Sequence, residues 1–234
     1  MKNYITEDIF LLDDNLYYKD KKITESDWHK KLIDCGWQKL NINWIKKLNK
    51  LNDKKKRNSL FGELDCGSDG ECLFNCISHA LNDSDIYDDF YDSKILREKL
   101  SERITNDKYN EIIEIYRILK DSNDFDESWN PYDMTYSKFI KLVKKGGDNF
   151  WADSFLINIL MEYLNINIII LTNDTINNIY DKYPNIKDYE SNKNTIILIY
   201  EDNFHFKLLG YFDNKMISLF NDKTIPKEIK CLMI

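Results

Sequence analysis

The side chains capable of nucleophilic or metal chemistry are few: three histidines, His29, His79 and His205, and five cysteines. Cys72 is the best placed of the thiols, because it follows the turn Gly67-Ser68-Asp69-Gly70-Glu71 and opens an apolar run. A helix is expected over residues 72–81, with apolar side chains at 73, 74, 77, 80 and 81. A thiol at a helix N-terminus feels the positive end of the macrodipole, which favours thiolate. The unpaired N–H groups of that first turn can bind a tetrahedral oxyanion, and Gly70 lets the backbone approach a carbonyl closely. His79 lies seven residues on, about 10 Å along the same helix, too far to serve Cys72 as a base. His29 sits beside Lys30 and Lys31 and reads as a solvated surface residue. His205 alternates with Phe204 and Phe206 in a late strand, so it projects to the face opposite its aromatic neighbours and can meet a partner from elsewhere.

A cysteine and a histidine so paired would perform acyl transfer. Two blander arrangements use the same residues. Cys72, followed by Leu73 and Phe74, also fits a small buried hydrophobe. Alternatively, Cys72, Cys76 and His79 fall at i, i+4 and i+7, and with Cys66 upstream they make a candidate zinc set. No paired CxxC supports that set, and the same helix face carries the core. No metal or organic cofactor is expected.

These residues need elements to position them. Helices are expected over residues 94–120, with a break near Thr105-Asn106-Asp107, over 136–145, stopped by Gly146-Gly147, and over 151–164. Residues 166–171, 195–200 and 204–209 read as strands, the last two joined at Glu201-Asp202-Asn203. Upstream, Trp28, Leu32, Ile33, Trp37, Leu40, Trp44, Ile45 and Leu48 recur every three or four residues, predicting amphipathic helices. A polar run from Asn52 to Ser59 separates that segment from the rest. Helices early and strands late point to an α/β (α+β) domain.

The 234 residues are 43% hydrophobic and 31% charged, enough for a real core without disulfides. A net charge of −7 argues against general nucleic-acid affinity. No apolar run reaches the ~18 residues of a membrane span. Glu7, Asp8, Asp13 and Asp14 stand where a signal peptide needs an apolar core. A soluble cytoplasmic protein with reduced thiols is expected. The abundance of Asn, Lys, Ile and Asp fits an AT-rich coding sequence.

Asp69-Gly70-Glu71-Cys72-Leu73-Phe74, followed by Ile77 and Leu81, resembles the Asp-Gly-x-Cys-Leu-Phe block of the ovarian-tumour (OTU) cysteine deubiquitinases. Two further blocks follow in that family's order. Trp151-Ala152-Asp153, leading through Leu156 and Leu160 to Ile166-Asn167-Ile168-Ile169, is similar to its Trp-Gly-x helix and strand. Residues 196–200 with His205-Phe206 are similar to its terminal strand pair. The blocks span residues 60–211.

The resemblance implies a papain-like fold with a central twisted sheet flanked by helices. It also implies hydrolysis of the (iso)peptide bond after the C-terminal glycine of ubiquitin or a ubiquitin-like modifier. By position, Cys72 would be the nucleophile, His205 the general base and acid, and Asp69 part of the turn that shapes the oxyanion site. Ubiquitin or polyubiquitin is then the expected partner of a monomer, with no nucleic acid and no membrane, in a host's cytoplasm if the source is viral. Residues 1–58 would form an N-terminal helical extension, 59–220 the catalytic domain and 221–234 a C-terminal tail.

Two positions depart from the family pattern. Lys207 stands where relatives carry the Asp or Asn that orients the imidazole, and it shares a strand face with His205. A cation there would disfavour imidazolium, so a catalytically weak ubiquitin-binding pseudoenzyme is the alternative reading. The orienting group could instead be Asp202, Asn203, Asp65 or Asp69, or be lacking in a Cys–His dyad. Ala152 replaces the usual glycine, and Trp151 is expected to anchor its helix.

Overall fold

A computed structural model describes residues 3–53, 59–68, 70–84, 86–87, 89–125, 127–147, 150–177, 179–183 and 188–233. The chain begins with four short strands, β1 (Asn3–Tyr4), β2 (Ile9–Leu12), β3 (Asn15–Tyr18) and β4 (Lys21–Lys22), which pair as an antiparallel meander. Asp13 and Asp14 make the β2–β3 turn with positive φ, a conformation short polar side chains tolerate. There follow α1 (Trp28–Lys31), β5 (Trp37–Lys39) and α2 (Ile42–Leu51).

The expected helical extension is therefore corrected: among the described residues of this segment α1 and α2 are the α-helices, beside strands, turns and a 3₁₀ turn. Gly36 is the physical reason that the helical spacing across Trp28–Leu48 misleads. Its φ of +84° ends the turn before it, and an added Cβ would lie 2.8 Å from Leu64 Cδ1. The chain then runs extended, and Trp37 pairs across from Leu64 in the main sheet.

The main sheet is built from β5, β6 (Phe61–Leu64), β7 (Ile166–Asp174), β8 (Ile179–Lys182), β9 (Asn194–Glu201) and β10 (His205–Asp213), in the order β5-β6-β10-β9-β7-β8. Short strands β11 (Lys215–Ile217) and β12 (Leu219–Phe220) pair with β10 and β9. β7 and β9 run parallel while the other pairs are antiparallel, so the sheet is mixed. Both faces are covered. Ile168, Ile170, Ile196, Leu198, Leu208 and Phe212 join one core; Ile169, Leu171, Ile197, Ile199 and Leu209 join another on the opposite face. Strict alternation of two buried sets explains why β7 and β9 read as continuous apolar runs.

The larger core lies under α3 (Cys72–Asn82), α4 (Ser93–Arg103), α5 (Asn106–Asp121), α6 (Tyr136–Lys145) and α7 (Ser154–Leu164). The smaller is closed by α2 and by α8 (Lys227–Lys230). Residues 221–233 are thus packed chain: Ile225 and Ile229 are buried against Trp44 and Phe220. Replacement of Ile229 by Ala should lower stability by about 2–4 kcal/mol, measured as a shift of the urea midpoint. A tail that merely follows the domain would leave the midpoint unchanged.

Candidate active site

Side chains cap the N-termini of α2, α4, α5, α6 and α7: Asn41, Asp92, Thr105, Thr135 and Asp153 each accept a backbone N–H. α3 is different, for Glu71 at its N-cap makes no capping hydrogen bond. The first N–H groups of the helix that carries Cys72 are therefore not taken by a side-chain cap. The turn before it uses Gly67 and Gly70 at φ of +106° and +73°.

α3 lies against the start of β10 through the backbone of one residue, Phe206. Phe206 N–H donates to Cys72 Sγ at 3.5 Å, and Cys76 Sγ, one turn along the helix, donates to Phe206 O at 3.6 Å. His205 is the residue immediately before that contact, which brings it to the same edge as Cys72. Cys72 is 8% exposed. Burial pushes its thiol up, and the Asp65 charge adds to this, against the pull of the backbone N–H groups of Phe206, Leu73 and Cys72 itself. Desolvation thus works against the thiolate that a helix N-terminus favours.

His205 Nε2 lies 3.2 Å from Asp65 Oδ1, an ion pair whenever the imidazole is protonated. Of the candidate orienting residues, Asp65 is the one in contact. Partial burial raises its carboxyl, but the Gly67 N–H at 2.9 Å and His205 outweigh this and hold it below the ordinary value. Asp202 is engaged elsewhere, accepting from Thr175 N and Oγ1 at 2.8 and 2.7 Å. The Asn203 carbonyl accepts the Tyr200 hydroxyl at 2.6 Å. Asp69 lies outside the described residues.

Lys207 does project on the face of His205, yet its charge is matched. Its Nζ is 2.7 Å from Glu201 Oε2 and 3.5 Å from Glu63 Oε1. Asn173 donates to Glu201 and the Asn41 N–H to Glu63. Burial works against the ammonium, and the two carboxylates more than compensate, so Lys207 stays charged. Sequence reading missed Glu63 and Glu201. The signal available was the alternation of β6, which sets Glu63 among Phe61, Gly62 and Leu64.

The candidate zinc set does not form a metal site: Cys66 and Cys72 lie beside Cys76, but the thiols are engaged with backbone and His79 stands apart. Cys76 donates to Phe206 O, Cys66 Sγ lies 3.9 Å from Leu64 O, and the His79 ring meets Trp37 edge-on at 6.2 Å. Among the described residues no group of three or more His, Cys, Asp or Glu is arranged to hold a metal. Trp151 is also corrected: it is 45% exposed and lines a cleft of about 540 Å³, instead of anchoring α7. The anchors are Leu156 and Leu160, both buried, and the Asp153 cap, which also accepts the Tyr116 hydroxyl at 2.7 Å. Tyr200 lines the same cleft and stacks on Phe206, whose N–H meets Cys72, with centroids 4.5 Å apart.

Since the Cys72 thiol is raised, its alkylation rate by iodoacetamide should keep climbing with pH beyond the ~8.5 midpoint of a free thiol. Asp65→Asn removes a charge that contributes to the rise, so its midpoint should move down. An identical profile in the two proteins would remove Asp65 from the surroundings of Cys72.

The chain is similar to several solved structures. The OTUD1 OTU domain is 18% identical, with 73% of this chain and 93% of that chain covered and a TM-score of 0.47. An OTU domain solved in complex with ubiquitin is 18% identical over 74% and 80%, TM-score 0.45. An OTU deubiquitinase from Wolbachia pipientis wMel is 14% identical over 73% and 95%, TM-score 0.43. No curated protein matches the chain in sequence. Residues 67–206, which contain Cys72, His205 and the elements between them, match the family described as OTU-like cysteine protease, and the chain belongs to that family.

Proposed function

We propose that the chain is a deubiquitinase, a thiol hydrolase that cleaves the (iso)peptide bond after the C-terminal glycine of ubiquitin or a ubiquitin-like modifier. The observation that supports this reading is that Asp65 contacts His205 while the next residue, Phe206, donates its N–H to Cys72 at the start of β10. His205 takes the Cys72 proton as Sγ attacks the glycine carbonyl, and Asp65 steadies the resulting imidazolium. The Cys72 N–H at the uncapped start of α3 faces the oxyanion. His205 returns the proton to the departing lysine amine, leaving a thioester. Water then attacks the thioester with His205 again as base, and the released product is a carboxylate.

The raised thiol and the Asp65–His205 pair are mutually consistent. The resting site holds a neutral thiol beside an oriented imidazole, and proton transfer accompanies attack. The cleft beside Tyr200 and Trp151 also carries the exposed Asp124, a carboxylate suited to the arginines of ubiquitin's C-terminal tail. The argument for an inactive binding module rested on an unmatched charge at Lys207, and the pairing with Glu201 and Glu63 removes that charge from the imidazole's account.

Ubiquitin bearing a C-terminal electrophile should form a covalent adduct by intact mass with the wild type and none with Cys72→Ala. A wild type that stays unmodified overturns the reading. His205→Ala should lower kcat by about 10²–10⁴-fold, and Asp65→Asn should lower kcat with KM little changed. Lys207→Asp, which would supply the usual acid in a member lacking one, should give no gain in turnover. It should also lower stability, because it brings a third carboxylate to Glu63 and Glu201; thermal unfolding reads this directly.

A further inference from the structure

Arg97, on α4, is 1% exposed, and its guanidinium is enclosed by the nucleophile turn and by the segment after α6. Its Nε donates to Glu71 Oε2 at 2.8 Å and its Nη2 to Gly70 O at 3.0 Å. On the other side it donates to Val143 O at 3.2 Å and Phe150 O at 3.3 Å, with its plane 4.1 Å from the Phe74 ring centroid. Glu71 Oε1 accepts the Gly147 N–H at 2.6 Å. Gly146, at φ +57°, has no room for a side chain: an added Cβ would strike Arg97 Nε and Glu71 Oε1. A buried arginine with four hydrogen bonds thus joins α4 and residues 143–150 to the two residues before Cys72.

Glu71 is the N-cap residue of α3, and its carboxylate is turned away from the helix. A free carboxylate at that position is drawn toward the unpaired N–H groups and the positive helix end. There it would occupy the place the oxyanion needs and would oppose a thiolate at Cys72.

We infer that Arg97 is a positioning residue for the reaction: it fixes the Gly70-Glu71 turn and holds the Glu71 carboxylate off the N-terminus of α3. This rests on the proposed hydrolytic role of Cys72. Its two parts are separable from a merely structural role, because they act through Glu71. Loss of Arg97 frees a carboxylate, and removal of that carboxylate then restores the site.

The test compares wild type, Arg97→Met, Arg97→Lys, Glu71→Ala and the Arg97→Met/Glu71→Ala double variant. Each is first measured for thermal unfolding so that assays use folded protein. Turnover of a fluorogenic ubiquitin substrate and the pH profile of Cys72 alkylation are then recorded. Arg97→Met should lower kcat by about 10–100-fold with KM within about threefold, and should move the alkylation midpoint upward. The double variant should recover kcat by at least about fivefold over Arg97→Met and bring the midpoint back. Arg97→Lys, which keeps a charge for Glu71 but loses the fork, should fall between. Unchanged kcat in folded Arg97→Met, or a double variant no better than the single, overturns the inference. If the wild type fails to turn over ubiquitin, the hydrolytic reading falls, and the alkylation series still decides the clamp: a midpoint raised by Arg97→Met and restored by Glu71→Ala supports it, and an unmoved midpoint overturns it.

Discussion

The backbone of Phe206 is the point on which the site depends. Its N–H meets Cys72 and its carbonyl meets Cys76, so two thiols one helical turn apart fix the start of β10 against the start of α3. Neither bond is strong, since sulfur is a weak donor and acceptor. Their register is held by the core beneath, where Leu73, Phe74 and Ile77 pack with Leu208 and Leu198. Sliding β10 by one residue would turn His205 to the other face and bury Lys207 among apolar neighbours.

Around that point the charges are arranged in closed groups. Asp65 serves His205, Glu63 and Glu201 enclose Lys207, and Glu71 answers Arg97. The Arg97 and Lys207 groups are largely desolvated, which makes those pairings matter more than a surface ion pair would, whereas Asp65 keeps much of its exposure beside His205. Asp65 meets the imidazole, and the cation two residues along is already committed to Glu63 and Glu201. The Glu71 carboxylate, next to Cys72 in sequence, is held by Arg97.

Much of the catalytic half was legible in the chain. The tight turn, Cys72 and an apolar helix predicted α3 closely, and α6 occupies the expected residues. The Thr105 cap marked the break between α4 and α5. The N-terminal half was not legible, because a three-and-four spacing of Trp28, Trp37 and Trp44 arises equally from a helix, a turn and a strand packing on the same sheet. Gly36 and the Asp13-Asp14 turn were the local signals that weighed against helices. The orienting acid was narrowed to candidates and no further, since Asp65 and His205 are separated by 140 positions.

By itself the sequence determined which groups are candidates for chemistry, one thiol after a glycine turn and one strand histidine, and the apolar runs that bury both faces of β7 and β9. Those are local properties, set by side-chain type and by periods of 3.6 and 2. Only the tertiary structure decided which acid contacts His205, what pairs with Lys207, where the Glu71 carboxylate is held, and that burial pushes the Cys72 thiol up. Each of these depends on through-space distance and desolvation, which contacts between remote segments create and no spacing along the chain encodes.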